Sequence, residues 1–158
     1  MTDARADREL RAEAIFDAAP DRVWELLTDL SRMREWSPEL VRMVPLKRGG
    51  LRVGQWYLGI NRRKAVVWPT RSVVAAVVPG RKLAWDTKSS GARWIWELEE
   101  VDAGARTRVV HRRPVPGSVT LMSRAFAPAF LGGSVEHADE LEQGMARTVA
   151  GLKAAAEA

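Results

Sequence analysis

The chain has 158 residues, no cysteine, 25 lysines and arginines against 20 acidic residues, and a formal net charge of +5. That length suits a single domain over residues 1–158 with its own core, and an apolar content of 46% excludes a disordered chain. Lack of cysteine excludes a disulfide scaffold and thiolate chemistry, and no apolar run reaches the roughly 18–20 residues that span a bilayer.

The first residues, Met1 to Arg5, carry no apolar leader core, so a cytoplasmic protein without membrane insertion is expected. The positive charge raises nucleic acid as a partner. Its arginines, however, are scattered, and the densest groups, Arg62-Arg63-Lys64 and Arg112-Arg113, sit at expected strand ends. A phosphate-binding face would gather them on one element, so a solvated surface and no nucleic-acid partner are expected.

In chain order, Arg8 to Asp17 alternates, with Leu10, Ala12, Ala14 and Phe16 on one side, which predicts a half-buried strand. Pro20 and Asp21 open a helix whose buried face is Val23, Trp24, Leu27 and Leu30. A second short turn runs from Ser31 to Trp36 and stops because Ser37 precedes a proline. Six strand-like segments follow, approximately Leu40–Leu46, Val53–Arg62, Ala65–Val78, Lys82–Lys88, Ala92–Val101 and Ala105–Arg113. The turn signals between them include Pro79-Gly80, Ser89-Ser90-Gly91 and Asp102-Ala103-Gly104, and such short connections predict an antiparallel meander.

From Pro114 to Gly133 the pattern is interrupted: Val119 to Phe130 reads as helical until Pro128. Such a segment is either a lid over a cavity mouth or an extra piece of core. After Gly132-Gly133 comes the longest periodic stretch, Ser134 to Ala156, with Ser134 as its N-cap. Val135, Ala138, Leu141, Met145, Thr148, Val149 and Leu152 recur at three- and four-residue spacing, so one apolar stripe must be buried, and a sheet is the surface to receive it.

With these features in order, the chain resembles the START-like, polyketide cyclase/dehydrase superfamily. The matching residues run from Phe16-Asp17-Ala18-Ala19-Pro20, Val23-Trp24 and Leu27 with Asp29 through Trp36-Ser37-Pro38-Glu39, Val53-Gly54, Asn61-Arg62-Arg63 and Trp68 with Thr70. They continue with Pro79-Gly80, Trp94-x-Trp96-x-Leu98-Glu99, Asp102-x-Gly104, His137, Gly144-Met145 and Leu152-Lys153. The resemblance implies an α+β helix-grip fold: a curved seven-stranded antiparallel sheet around a long C-terminal helix, two short helices between strands 1 and 2, and a hydrophobic cavity. Members of that superfamily bind or transform lipids, sterols and polyketides.

Chemistry-bearing residues are sparse. His111 and His137 are the only histidines, with no usable spacing for a metal, so no metal and no cofactor are expected. Glu97 and Glu99 lie opposite Trp96 and Leu98 by strand parity and read as solvent-facing. If the family's strand facing holds, Tyr57, Asn61, Thr70, Ser72 and His111 face the cavity, and Tyr57, Asn61 and His111 become weak catalytic candidates. The expected ligand-binding set adds Trp68, Trp85, Trp94, Trp96, Val109, Phe126, Leu141, Met145 and Thr148. Trp24 and Trp36 read as core, and the four strand tryptophans read as cavity walls with core filling as the alternative.

One conflict lies in Val53–Arg62. Apolarity alone sends Trp56, Leu58 and Ile60 inward, whereas the resemblance sends Tyr57, Gly59 and Asn61 inward, and strand register allows only one. The second choice puts Trp56, Leu58, Ile60, Val67, Val73, Ile95 and Val110 on the convex face, which predicts a homodimer through Trp56, Leu58, Ile60 and Ile95. Three functions remain: binding of a hydrophobic small molecule (lipid, sterol-like or polyketide/aromatic), aromatase/cyclase or dehydratase chemistry on a polyketide, and a protein-interaction module using the convex face.

Overall fold

The structure is a computed structural model that describes residues 8–114 and 134–158, with the backbone alone over 134–137. The expectations placed on the 114–133 segment, including Phe126, fall outside the described residues from 115 onward. So do those on the side chains of Ser134, Val135 and His137.

Seven strands among the described residues form one antiparallel sheet in the order β1-β7-β6-β5-β4-β3-β2. They are β1 (Leu10–Phe16), β2 (Leu40–Pro45), β3 (Trp56–Arg63), β4 (Val66–Val78), β5 (Lys82–Thr87), β6 (Ala92–Val101) and β7 (Arg106–Arg113). From β2 to β7 each strand pairs with the next in sequence, as short turns require. The two edges, β1 and β2, are joined by helix α1 (Pro20–Thr28) and a 3-10 helix (Leu30–Glu35), which carry the chain from one edge to the other. Pro20 sits where a missing N–H costs nothing, and α1 buries Val23, Leu26 and Leu27.

β3 starts three residues later than the apolar pattern suggests. Gly54 takes a left-handed φ of 86°, and Gln55 N–H bonds back to Arg52 O at 3.1 Å, so Leu51 to Gln55 is a turn. In β4 the register slips between Val74 and Ala76, a bulge that bends the strand and lets Val74 and Val77 both meet the core.

The long helix α2 (Ser134–Glu157) buries Ala138, Met145, Val149 and Leu152 of the stripe expected from spacing, leaves Leu141 and Thr148 half-buried, and adds Ala156. It lies chiefly along β1, with lighter contact to α1 and β7. Glu142 accepts the Arg11 N–H at 3.0 Å and Glu157 accepts the Asp17 N–H at 2.8 Å, so carboxylates from α2 occupy two donors of the β1 edge. That pins the helix and blunts an edge that could otherwise pair with another chain. At the other end, a Cβ on Gly151 would come within 2.7 Å of Trp36 Cβ. Only a residue without a side chain lets the helix approach that closely.

The concave-face candidate site

Strand parity settles the conflict in β3. Tyr57 and Gly59 are buried on the concave side with Asn61 beyond them, while Trp56, Leu58 and Ile60 face outward. Their cross-strand partners agree: Tyr57 opposes Ser72, Gly59 opposes Thr70 and Asn61 opposes Trp68. Gly59 is required by space, since a Cβ there would lie 2.7 Å from Thr70 Oγ1.

The concave face divides into two ends. At the inner end Phe16, Leu83, Leu98, Val109, Val149 and Leu152 form a closed core with Trp96. A void of about 10 Å³ remains there, lined by Tyr57, Ser72 and Trp85 among apolar neighbours. That is about the space of one water. At the outer end Asn61, Trp68, Thr70, Trp85, Trp94, Leu141 and Thr148 keep water-accessible surface although they face inward. Helix α2 makes most of its contacts with β1. The exposed pair Arg63–Glu140, 3.2 Å apart, ties the tip of β3 to α2 across this end.

The polar candidates are not stranded in an apolar space. Ser72 and Thr87 share a hydroxyl contact of 3.2 Å, and Asn61 Nδ2 donates to Thr70 Oγ1 at 3.1 Å. Thr148 donates to Gly144 O at 2.9 Å, the usual back-bond of a helical threonine. An unmet polar demand therefore does not argue for a wet cavity, and the described residues enclose on this face a space of about one water in place of the hydrophobic cavity the resemblance implies.

Trp96 is 1% exposed, Val109 0%, Met145 3%, His111 4%, Ser72 5% and Tyr57 7%, so these six of the expected lining residues are packed into the core and present almost no surface to a guest. His111 stacks on Trp96 with ring centroids 3.8 Å apart and lies 5.8 Å from the Trp94 ring. Its Nδ1 is 3.0 Å from Ile95 O, the geometry of an N–H donated to the backbone. Burial pushes its pKa down to about 4 against the opposing pull of that carbonyl, so the ring is neutral. Burial likewise pushes the Tyr57 phenol up.

From the sequence, Arg113 is only part of a charged strand end. It shares the inward parity of Thr107, Val109 and His111, and its guanidinium lies 5.6 Å from the Trp94 ring centroid. Counting along β7 from His111 is the signal that finds it. A further feature not expected is an open groove of about 600 Å³ between β1 and α2, floored by Ala12, Ala14, Ala146 and Ala150 and rimmed by Arg11, Glu13, Asp139 and Lys153.

On the convex face the charges pair across strands. Arg112 bonds Glu97 at 2.6 Å and Glu9 at 2.9 Å, Arg108 bonds Glu13 at 2.8 Å, and Arg93 bonds Asp86 at 2.7 Å. Ile95 sits among Arg93, Glu97 and Arg112 and is only 5% exposed, and Val110 is also buried. Ile95 is thus withdrawn from the surface and cannot serve the expected dimer contact. Apart from exposed Ile15 on β1, the apolar part of this face lies on β2, β3 and β4, where Leu58 lies between Val44 and Arg71, and Trp56 beside Val73.

An antiparallel seven-stranded sheet holding a long C-terminal helix defines a helix-grip α+β protein. The family model described as "Polyketide cyclase / dehydrase and lipid transport" matches residues 7–157, and the chain belongs to that family. Solved structures agree in fold. The Zhui aromatase/cyclase from Streptomyces sp. R1128 is 19% identical with a TM-score of 0.67, over 95% of this chain and 93% of its own. A polyketide-cyclase-like protein from Corynebacterium glutamicum is 23% identical with a TM-score of 0.62, over 92% and 88%. The di-domain ARO/CYC BexL is 18% identical with a TM-score of 0.70, over 99% of this chain and 52% of its own, so this chain spans about half of it. No curated protein matches the sequence.

Proposed function

We propose that the chain binds a hydrophobic small molecule, a lipid, sterol-like ring system or aromatic polyketide, at the outer end of the concave face. The observation that carries this reading is the half-buried state of Trp68, Trp85 and Trp94 on the inward face, with Asn61 and Thr70 beside them. Three indoles that face inward yet still meet water offer flat apolar walls at the place where a guest enters. Family membership is consistent with it, and fold alone does not choose the ligand. The partner is the small molecule rather than nucleic acid, a reading supported by the carboxylates that hold Arg93, Arg108 and Arg112 on the convex face, and a cytoplasmic setting fits a chain without cysteine. No described helix is long and apolar enough to cross a membrane.

Nile red, a neutral apolar dye, should bind the wild-type protein with enhanced fluorescence. Trp85→Ala and Trp94→Ala should each weaken its affinity by about tenfold, roughly 1.4 kcal/mol. Unchanged affinity in both variants would move the site elsewhere.

Aromatase/cyclase or dehydratase chemistry in the same space is the second reading, favoured by the likeness to the Zhui enzyme. It is the weaker one, because His111 is neutral, packed and bonded to backbone, and the raised Tyr57 phenol is a poor proton donor. Asn61, bonded to Thr70 at the open end, is the side chain best placed to orient a substrate carbonyl.

The convex strip of Val44, Trp56, Leu58, Ile60 and Val73 supports the homodimer proposed from the sequence, now without Ile95. Sedimentation at tens of micromolar, roughly the range where weak dimers form, should show dimer in the wild type and monomer in Trp56→Glu. A wild-type monomer at that concentration would refute it.

A further inference from the structure

Arg8, Arg93, Arg108 and Arg112 each reach a carboxylate within 2.9 Å. Arg113 is different. It points into the concave side, its Nε is buried without a hydrogen-bond partner, and it has no salt-bridge partner among the described residues. Around it are Trp94, over whose ring its guanidinium lies 5.6 Å from the centroid, and Leu10, its cross-strand partner on β1. Leu10 and Trp94 in turn pack with Ala138, Leu141 and Met145, so the cation stands in an apolar collar at the outer end of the concave face.

A guanidinium held this way is costly unless something meets it. The ring face offsets part of the lost hydration through its quadrupole. The planar guanidinium with an unused Nε–H suits a two-pronged contact from a carboxylate. Burial lowers the Arg113 pKa, the direction expected of a cation lacking its counter-charge.

We propose that Arg113 anchors a carboxylate of the cavity's ligand, which is therefore an amphiphile with one acidic end and an apolar body lying along Trp94 and Trp85. This rests on the binding reading above and narrows it to acidic ligands such as fatty acids or acyl chains ending in a carboxylate. It also orients them, acid toward the end of β7 and apolar body toward β4 and β5.

The test compares dansyl-undecanoic acid with its methyl ester, at neutral pH, on the wild type, Arg113→Met and Arg113→Lys. A charged hydrogen-bonded contact of about 1.5–3 kcal/mol corresponds to a preference for the acid of roughly ten- to a hundredfold in the wild type. In Arg113→Met the ratio of acid to ester affinity should fall to near one, and Arg113→Lys should retain part of it. Equal binding of acid and ester by the wild type would overturn the carboxylate anchor while leaving the apolar site intact. Binding of neither would overturn both. If Arg113→Met fails to fold, the wild-type ratio and its reduction in Arg113→Lys decide the matter; an undiminished ratio in the lysine variant shows that any cation serves and overturns the planar contact.

Discussion

Trp96→Ala should cost about 3–5 kcal/mol of folding stability, enough to lower the thermal midpoint of a chain of this length by roughly 6–20 °C. Trp96 is the largest of the fully buried side chains, and its ring lies against His111 at the centre of the sheet. Removing it deletes the stacking partner and leaves a cavity that strands β6 and β7 are too well paired to close. Trp96→Phe should cost clearly less, because Trp96 Nε1 has no hydrogen-bond partner and its loss relieves a buried donor. Urea unfolding followed by circular dichroism measures both. A loss below about 1 kcal/mol for the alanine variant would show that Trp96 is a loosely held wall and not core.

The second large effect is a dependence on pH. His111 has its pKa pushed down to about 4 in the folded chain, against an ordinary value of 6.5. Below pH 6.5 the unfolded chain takes up a proton that the folded chain refuses, so stability falls as pH drops. The loss is complete once pH reaches about 4, where the folded ring also titrates. Over that window it amounts to about 3 kcal/mol, from 1.36 kcal/mol per unit of pKa difference. The carboxylates held down by arginine, Glu13, Asp86 and Glu142, contribute stability that is lost only below their ordinary values, so they act at the acid end of the window. His111→Gln should lose the slope between the two histidine values. Parallel stability curves for wild type and variant, measured by urea unfolding at a series of pH values, would contradict the buried neutral ring.

Much of the fold is legible because one-residue alternation and three-to-four-residue spacing are local. Leu10, Ala12, Ala14 and Phe16 announce a strand by themselves, and Ala138 to Leu152 announce a helix. What pattern reading gets wrong is set by distant partners. Ser72 meets Thr87 fifteen residues away and His111 meets the Ile95 carbonyl sixteen away, and neither bond is visible without the register. Read alone, such side chains look like polar groups awaiting a ligand.

The β3 conflict has a similar origin. Trp56, Leu58 and Ile60 are more apolar than the residues that face the core, so apolarity by itself selects the wrong face. Strand parity from a resembling family selects the right one. Parity also carries Arg113 inward, but a charged pair at a strand end reads as surface until the sheet is assembled. Val109 was assigned to the cavity wall by the same parity. It faces inward as expected, yet it is fully packed, and no local pattern distinguishes a packed inward position from a half-buried one.

The most direct test follows the indole N–H resonances of the protein during titration with Nile red. Binding at the outer end of the concave face predicts shifts at Trp68, Trp85 and Trp94, with Trp56 on the outer face unmoved. Shifts confined to Trp56, or none at any indole at saturating dye, would contradict a ligand site on the concave face.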